Sequence, residues 1–383
     1  TRSPGTCNTM GTASTMTSIV EALGLALPGS TAIPAMDAAH TRMATTCGER
    51  IVQMVWDDLT PQSILTRGAF MNAAAVQMAL GGSTNAAVHI IAMARRAGVE
   101  LTLDDLDRVG REVPVLANLF PSGDRLMEDF HYAGGLPAVM MRIAAHLSLN
   151  ERNVNGMTLA QNLEGVQVLD DAVIRPLANP VSANGALAVL RGNLAPEGAV
   201  MKAAAASPKF FQHRGRAIVF DDPAEMNRAC ADPNLDCDES SVLVLRNAGP
   251  VGAPGMPEWG GLPIPKKLLD RGVRDLVRIS DARMSGTHYG SCILHVSPEA
   301  AVGGPLALVR TGDVIEVDVP ARRLHLVVSD DELTRRRAEW RPRPEPYARG
   351  FARLYRAHVT QAHEGCDFDF LQGAAPTAEP VIY

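Results

Sequence analysis

Aromatic residues are scarce in this 383-residue chain, at 4%. So few rings argue against a carbohydrate platform of stacked aromatics and against a base-stacking nucleic-acid surface. A basic stripe is missing too. The 36 Lys and Arg are interspersed with 42 Asp and Glu, for a formal net charge of −6, so the sequence lacks the electrostatic footprint of a DNA, RNA or anionic-membrane binder. No apolar run approaches the ~20 residues of a transmembrane helix, and no signal peptide is visible; the expected compartment is the cytoplasm. An initiator methionine is also absent: the chain opens TRSPGTCNTMG. A start this rich in Thr, Ser and Gly, running straight into an apolar helix, is expected of the middle of a longer protein, with processing or trimming as the alternative.

The six cysteines, Cys7, Cys47, Cys230, Cys237, Cys292 and Cys366, show no CxxC pairing and no regular spacing. That speaks against a disulfide framework and against a self-contained zinc site. Any metal cluster here needs ligands from elsewhere.

What is present is a two-part pattern. A chain of this length is expected to form two domains, and the residue pattern changes near 183. Before it, apolar periodicity predicts helices over 8–25, 36–57, 66–80, 86–97 and 136–147, with another starting at Thr102. Asn8 or Thr9 is expected to cap the first, and Ser83-Thr84-Asn85 the fourth. After it, short β-rich runs alternate with turns: Ala186–Leu190, Ala217–Phe220, Ser241–Leu245, Leu276–Ile279, Cys292–Val296, Val314–Val319 and Leu324–Val328. Seven such strands predict a barrel or sandwich. The expected fold is therefore α/β: a mainly helical remainder of an α/β domain over 1–183, then a β-barrel-like domain with a helical tail over 184–383.

Several segments can carry chemistry. Cys7 lies in a Gly/Thr turn before a helix, where backbone N–H groups favour the iron-binding thiolate; a small packed residue is the commoner alternative. GPVGAPGMPEWGG (249–261) sets five glycines and three prolines around one carboxylate, Glu258. A rigidly held carboxylate suits Mg²⁺, against an ordinary turn with a solvated Glu. ISDARMSGTHYGSC (279–292) contains a small-residue bend at Ser285-Gly286-Thr287. Its serine could serve as base or nucleophile beside a metal, against a plain ST-turn. GGSTNAAVH (81–89) and HVSPEAAVGGP (295–305) place Gly and Ser/Thr near helix starts, where anions bind. LMEDFHYAGG (126–135) offers His131 beside Glu128 and Asp129 to orient a substrate, or else a solvated helix end. Lys202, in VMKAAAASP, could meet a substrate carboxylate; a surface lysine is the usual alternative.

Taken in order, CNTMGTASTM, GGSTNA, the MED-x-H-x-AGG run, LAP-x-GAV-x-K, APGMPE, DARMSGT, HVSPEAA-x-GGP and SD-x-EL-x-RR resemble the dihydroxy-acid and sugar-acid dehydratase family. The resemblance covers essentially the whole chain. DARMSGT, LHV-x-PEAA, RRLHL and the DFDFL-x-G tail look most like its sugar-acid branch. It implies a site between an α/β domain and a β-barrel-like domain, and a hydro-lyase that converts an aldonate to a 2-keto-3-deoxy acid. It further implies an iron–sulfur cluster, [2Fe–2S] or [4Fe–4S], with Cys7 as one of three cysteine ligands. Mg²⁺ is implied with Glu258 among its ligands, Ser285 as base and Thr287 beside it, and His131 and Lys202 as substrate contacts. The remaining cluster ligands and most Mg²⁺ ligands belong to upstream sequence in that family. The implied partners are a small sugar acid and further copies in a homodimer or homotetramer, with no nucleic acid and no membrane. Two competing readings are a dihydroxy-acid dehydratase of branched-chain amino-acid synthesis and a non-catalytic fragment or pseudoenzyme.

Overall fold

A computed structural model describes residue 5, residues 7–373 and residue 381. Its first part is helical: α1 (Thr12–Ala22), α2 (Ala38–Trp56), α3 (Pro61–Ile64), α4 (Arg67–Ala79), α5 (Asn85–Arg96), α6 (Leu103–Glu112), α7 (Met127–Tyr132), α8 (Gly135–Arg142) and α9 (Leu159–Leu163). Helix α6 starts as its sequence dictates, with a capping box in which Thr102 and Asp105 satisfy each other's backbone N–H groups. Helix α4 buries ten of its residues, every one from Ala69 to Ala79 except Met71, so it is the central rod around which α1, α5 and α6 pack. Among the described residues no helix is long and apolar enough to cross a membrane.

The second part is a closed eight-stranded mixed barrel. Its strands are β1 (Ala188–Gly192), β2 (Ala195–Met201), β3 (Gln212–Phe220), β4 (Val242–Leu245), β5 (Val277–Ser280), β6 (Cys292–Ser297), β7 (Val314–Asp318) and β8 (Arg323–Val327). They run in the order β1-β2-β6-β5-β4-β3-β7-β8, and β8 closes on β1 through Arg191 and Arg323. Strands β3 to β6 pair in parallel. The helices α10 (Pro223–Ala231) and α11 (Lys266–Asp270) lie in the β3–β4 and β4–β5 crossovers, as parallel connections require. Helices α12 (Asp330–Glu339) and α13 (Phe351–His358) follow the barrel.

The sequence pattern predicts seven of these strands and misses β2. Its residues, APEGAVM, include a proline and a glycine and lack the β-branched density of the others. Pairing with β1 and β6 makes it a strand all the same.

Period-2 alternation decides how the two parts join. On β6, Ile293 points into the barrel core with Val244, Ile279 and Ile315. Its neighbours Cys292 and Leu294 point outward and belong to the helical core, together with Val189, Val200 and Met284. Each larger apolar side chain buried there contributes about 1.5–3 kcal/mol, so one apolar cluster joins the helical part to the outer face of the barrel, whose interior forms a cluster of its own. The tail reinforces the joint. Arg96 on α5 pairs with both Asp367 oxygens at 2.6 Å, while Gln361 exchanges two hydrogen bonds with Glu299 beyond β6.

Candidate active site

The site grows from two helix starts. Helix α1 begins at Gly11 without a side-chain cap; Asn8 does not cap it, and instead its Oδ1 accepts the Glu128 N–H at 2.9 Å, tying the Cys7 loop to α7. Helix α5 likewise begins at Thr84 without a side-chain cap. The polar side chains at the two helix starts also bond each other. Thr12 Oγ1 and Ser83 Oγ lie 3.0 Å apart, and Asn85 Nδ2 donates to Thr12 Oγ1 at 2.9 Å. Ser83 Oγ also accepts the Asn85 N–H at 3.2 Å, so the electropositive start of α5 is partly capped while that of α1 has no side-chain cap, and the two meet at one place.

The barrel delivers two loops to that place. In the first, Asn85 Nδ2 donates to Glu258 Oε1 at 2.7 Å, across 173 residues of sequence. In the second, Met284 anchors in the helical core, and the following turn presses onto both helix starts. A Cβ on Gly286 would lie 2.8 Å from Ser83 Oγ and from the Thr12 nitrogen, so only glycine fits there. On either side of it, Ser285 Oγ and Thr287 Oγ1 are 3.0 Å apart. Ser285, Thr287 and Glu258 are thus brought together with Thr12, Ser83 and Asn85.

Two buried carboxylates hold the loops in place. Asp281 accepts from the backbone N–H groups of Asn247, Ala248 and Ala300 at 3.1, 2.9 and 2.9 Å. Glu299 accepts from those of Val251 and Gly252, both at 2.8 Å. Burial, reinforced by the neighbouring Glu299, pushes the Asp281 carboxyl up to about 7. Glu299 is raised for the same primary reason. The 295–305 segment therefore does not present a free anion site at residue 300, because the protein's own Asp281 fills it. Sequence reasoning passed over both residues. Their only signal was an acidic residue inside each motif, and nothing local shows that the carboxylates turn inward.

Lys202 is not a surface residue. It has no exposed area, and its Nζ donates to the Gly286 carbonyl at 3.4 Å. Burial pushes its amine down to about 7. His131 sits half-buried on α7, edge-on to Tyr132. Burial lowers its pKa, against the opposing pull of Asp37. Two histidines missed in the sequence lie near Arg283, and His89 also feels Glu258. His89 is lowered by burial and by Arg283, with Glu258 acting the other way. The fully buried His295 is pushed down to about 3 by burial, Arg283 and His89.

Cys7 is exposed, 3.1 Å from the Thr9 hydroxyl. Cys47 is exposed on α2; Cys230, Cys237 and Cys292 are interior, and Cys366 lies 3.5 Å from the Met256 sulfur. Among the described residues no three His, Cys, Asp or Glu side chains gather into a metal site. Cys7 and Glu258 each fit one ligand position, a soft thiolate for iron and a hard oxygen for Mg²⁺.

Helix starts, a hydroxyl pair and a carboxylate meet where the helical part abuts the barrel, and sequence comparison gives the family. Residues 1–162 match the dihydroxy-acid/6-phosphogluconate dehydratase N-terminal model and residues 172–366 its C-terminal model. The chain belongs to the dihydroxy-acid/6-phosphogluconate dehydratase family. It is 59% identical to a 6-deoxy-6-sulfo-D-gluconate dehydratase of Pseudomonas putida, over 100% of this chain and 67% of that protein. It is 53% identical to an L-arabinonate dehydratase of Rhizobium leguminosarum bv. trifolii, over 98% and 66%. A dihydroxy-acid dehydratase of Ignicoccus hospitalis is 43% identical, over 94% and 65%. The chain spans about two thirds of the length of the curated relatives it matches.

Proposed function

We propose that this protein is a hydro-lyase that dehydrates an aldonate to a 2-keto-3-deoxy acid, with Ser285 as the base. The observation that carries the reading is the Ser285–Thr287 hydroxyl pair, set on a turn that only Gly286 permits, against the helix starts that also hold Glu258. Similarity of 53–59% to two sugar-acid dehydratases, against 43% to a dihydroxy-acid dehydratase, favours a sugar acid.

A C2–H beside a carboxylate is a poor acid, and hydroxide is a poor leaving group. Mg²⁺ held in part by Glu258, and an iron–sulfur cluster held in part by Cys7, would supply Lewis acidity at these two points when bound. The chain's own residues do the rest. Ser285 Oγ takes the C2 proton, and Thr287 donates a hydrogen bond to that oxygen and keeps it aimed. The electropositive starts of α1 and α5 favour the substrate's negative charge. Asn85 fixes the rotamer of Glu258. His131 on α7 is assigned a substrate contact on the Cys7 side. A homodimer or homotetramer is part of the proposal and is checked by light scattering.

The test uses the full-length protein, reconstituted anaerobically with iron, sulfide and Mg²⁺. Turnover of L-arabinonate or another aldonate to a 2-keto-3-deoxy acid is expected, and Ser285→Ala should abolish it. Turnover of dihydroxyisovalerate but of no aldonate would overturn the substrate class. A correctly folded, fully loaded protein inert on both would favour a non-catalytic role.

A further inference from the structure

Among the buried ionisable groups that the mechanism above leaves unused, Lys202 touches the turn that carries the base. Lys202 follows β2 directly and has no exposed area. Its strand neighbour Met201 faces Ala188 on β1 and Ile293 on β6, both apolar. Among the described residues no carboxylate pairs with the amine, and burial is the sole influence on its protonation. Its single partner is the Gly286 carbonyl, the middle of the turn that carries Ser285 and Thr287.

An ammonium has three donors and is costly to bury with one long hydrogen bond. A neutral amine is not, and it has a lone pair to offer. A serine hydroxyl, for its part, is far too weak an acid to lose its proton unaided. The fold therefore places a proton acceptor on the carbonyl of Gly286, next in sequence to a hydroxyl that must lose a proton.

We propose that Lys202 is the positioning residue of the Ser285 base: it fixes the turn through the Gly286 carbonyl and takes up the proton that Ser285 gives up. The Ser285 O–H bond breaks, its electron pair stays on oxygen, and the Lys202 lone pair forms the new N–H bond. The net charge of the pair does not change, so the exchange avoids burying an uncompensated charge. The resulting ammonium stabilises the alkoxide from the protein side. This inference rests on the reading of Ser285 as base.

The experiment is the pH dependence of aldonate turnover by the full-length holoenzyme and its Lys202→Met variant. The variant is expected to lose about 10²-fold or more in kcat with KM little changed, and to lose an ionisation near neutrality that the wild type shows. A folded variant with the wild-type kcat and pH profile would overturn the inference while leaving the dehydratase reading intact. A wild type inert on every aldonate would sink that reading and the inference with it. Should Lys202→Met not fold, the wild-type profile is measured with and without an organic cosolvent. A cationic acid such as an ammonium keeps or lowers its apparent pKa there, whereas a limb that moves to higher pH marks a carboxyl and rejects Lys202.

Discussion

Asn85 and Glu258 are joined by one 2.7 Å hydrogen bond that spans the helical part and the barrel. The amide nitrogen also donates to Thr12 Oγ1, so its orientation is fixed from two sides. Replacing Asn85 with Ala removes the donor and frees the Glu258 side chain. The expected result is a loss of about 10–100-fold in Mg²⁺ affinity or activity, read from the Mg²⁺ dependence of turnover with the cluster content unchanged. An unaltered Mg²⁺ dependence would show that Glu258 needs no anchor.

Gly286 offers a sharper steric probe. A single methyl group there meets Ser83 Oγ and backbone atoms of Gly11 and Thr12 within 3 Å. Backbone cannot yield as a flexible side chain can, so the turn must move. Gly286→Ala is expected to lower kcat by about 10²-fold, the cost of a displacement near 1 Å at the reacting group. Iron content and Mg²⁺ binding should stay near wild type.

Asp281 tests the support of the Glu258 loop. Its two oxygens accept three backbone N–H groups. An Asn at this position turns an NH₂ group toward at least one of those donors. Asp281→Asn is expected to destabilise the protein by about 1–3 kcal/mol per donor left unsatisfied, measured by urea unfolding. An unchanged midpoint would mean that the loop holds itself.

The depressed Lys202 pKa carries a stability signature of definite sign. The unfolded amine titrates near 10.5 and the folded one near 7. Between those values the unfolded state binds the proton and the folded state does not, so stability rises with pH through the window. Below it the folded state bears the full cost of a buried ammonium. Lys202→Met should abolish this rise. Comparing the unfolding free energies of the two proteins at both ends of the window checks it, and parallel curves would refute it.

Much of the architecture was legible because burial imposes a period. The runs at Ser241–Leu245 and Cys292–Val296 read as strands and are strands, and Thr102 announces α6 through its capping box. Strand β2 escaped because Pro196 and Gly198 weaken its local signal, and only its neighbours make it a strand. At the site, motif reading singled out Ser285, Thr287 and Glu258, which the fold does gather. It assigned Ser83 and Asn85 to capping, since a short polar side chain before an apolar helix usually caps. Ser83 does accept the first N–H of α5, that of Asn85, at 3.2 Å, and contacts with Thr12 and Glu258, 71 and 173 residues away, give the pair a second role. The inward turn of Asp281 and Glu299 and the burial of Lys202 depend on tertiary packing and leave no mark on local sequence.

The way the turn at Gly286 seats on Ser83 and Thr12 has a consequence for the timing of chemistry during the protein's life. The hydroxyls come from the barrel and the electropositive helix ends from the helical part. A nascent or partly opened chain holds neither the aligned serine nor the steadied Glu258. On the proposed mechanism, competence to react therefore requires the two parts to be docked, and loosening at this seam is expected to cost activity even where each part stays folded.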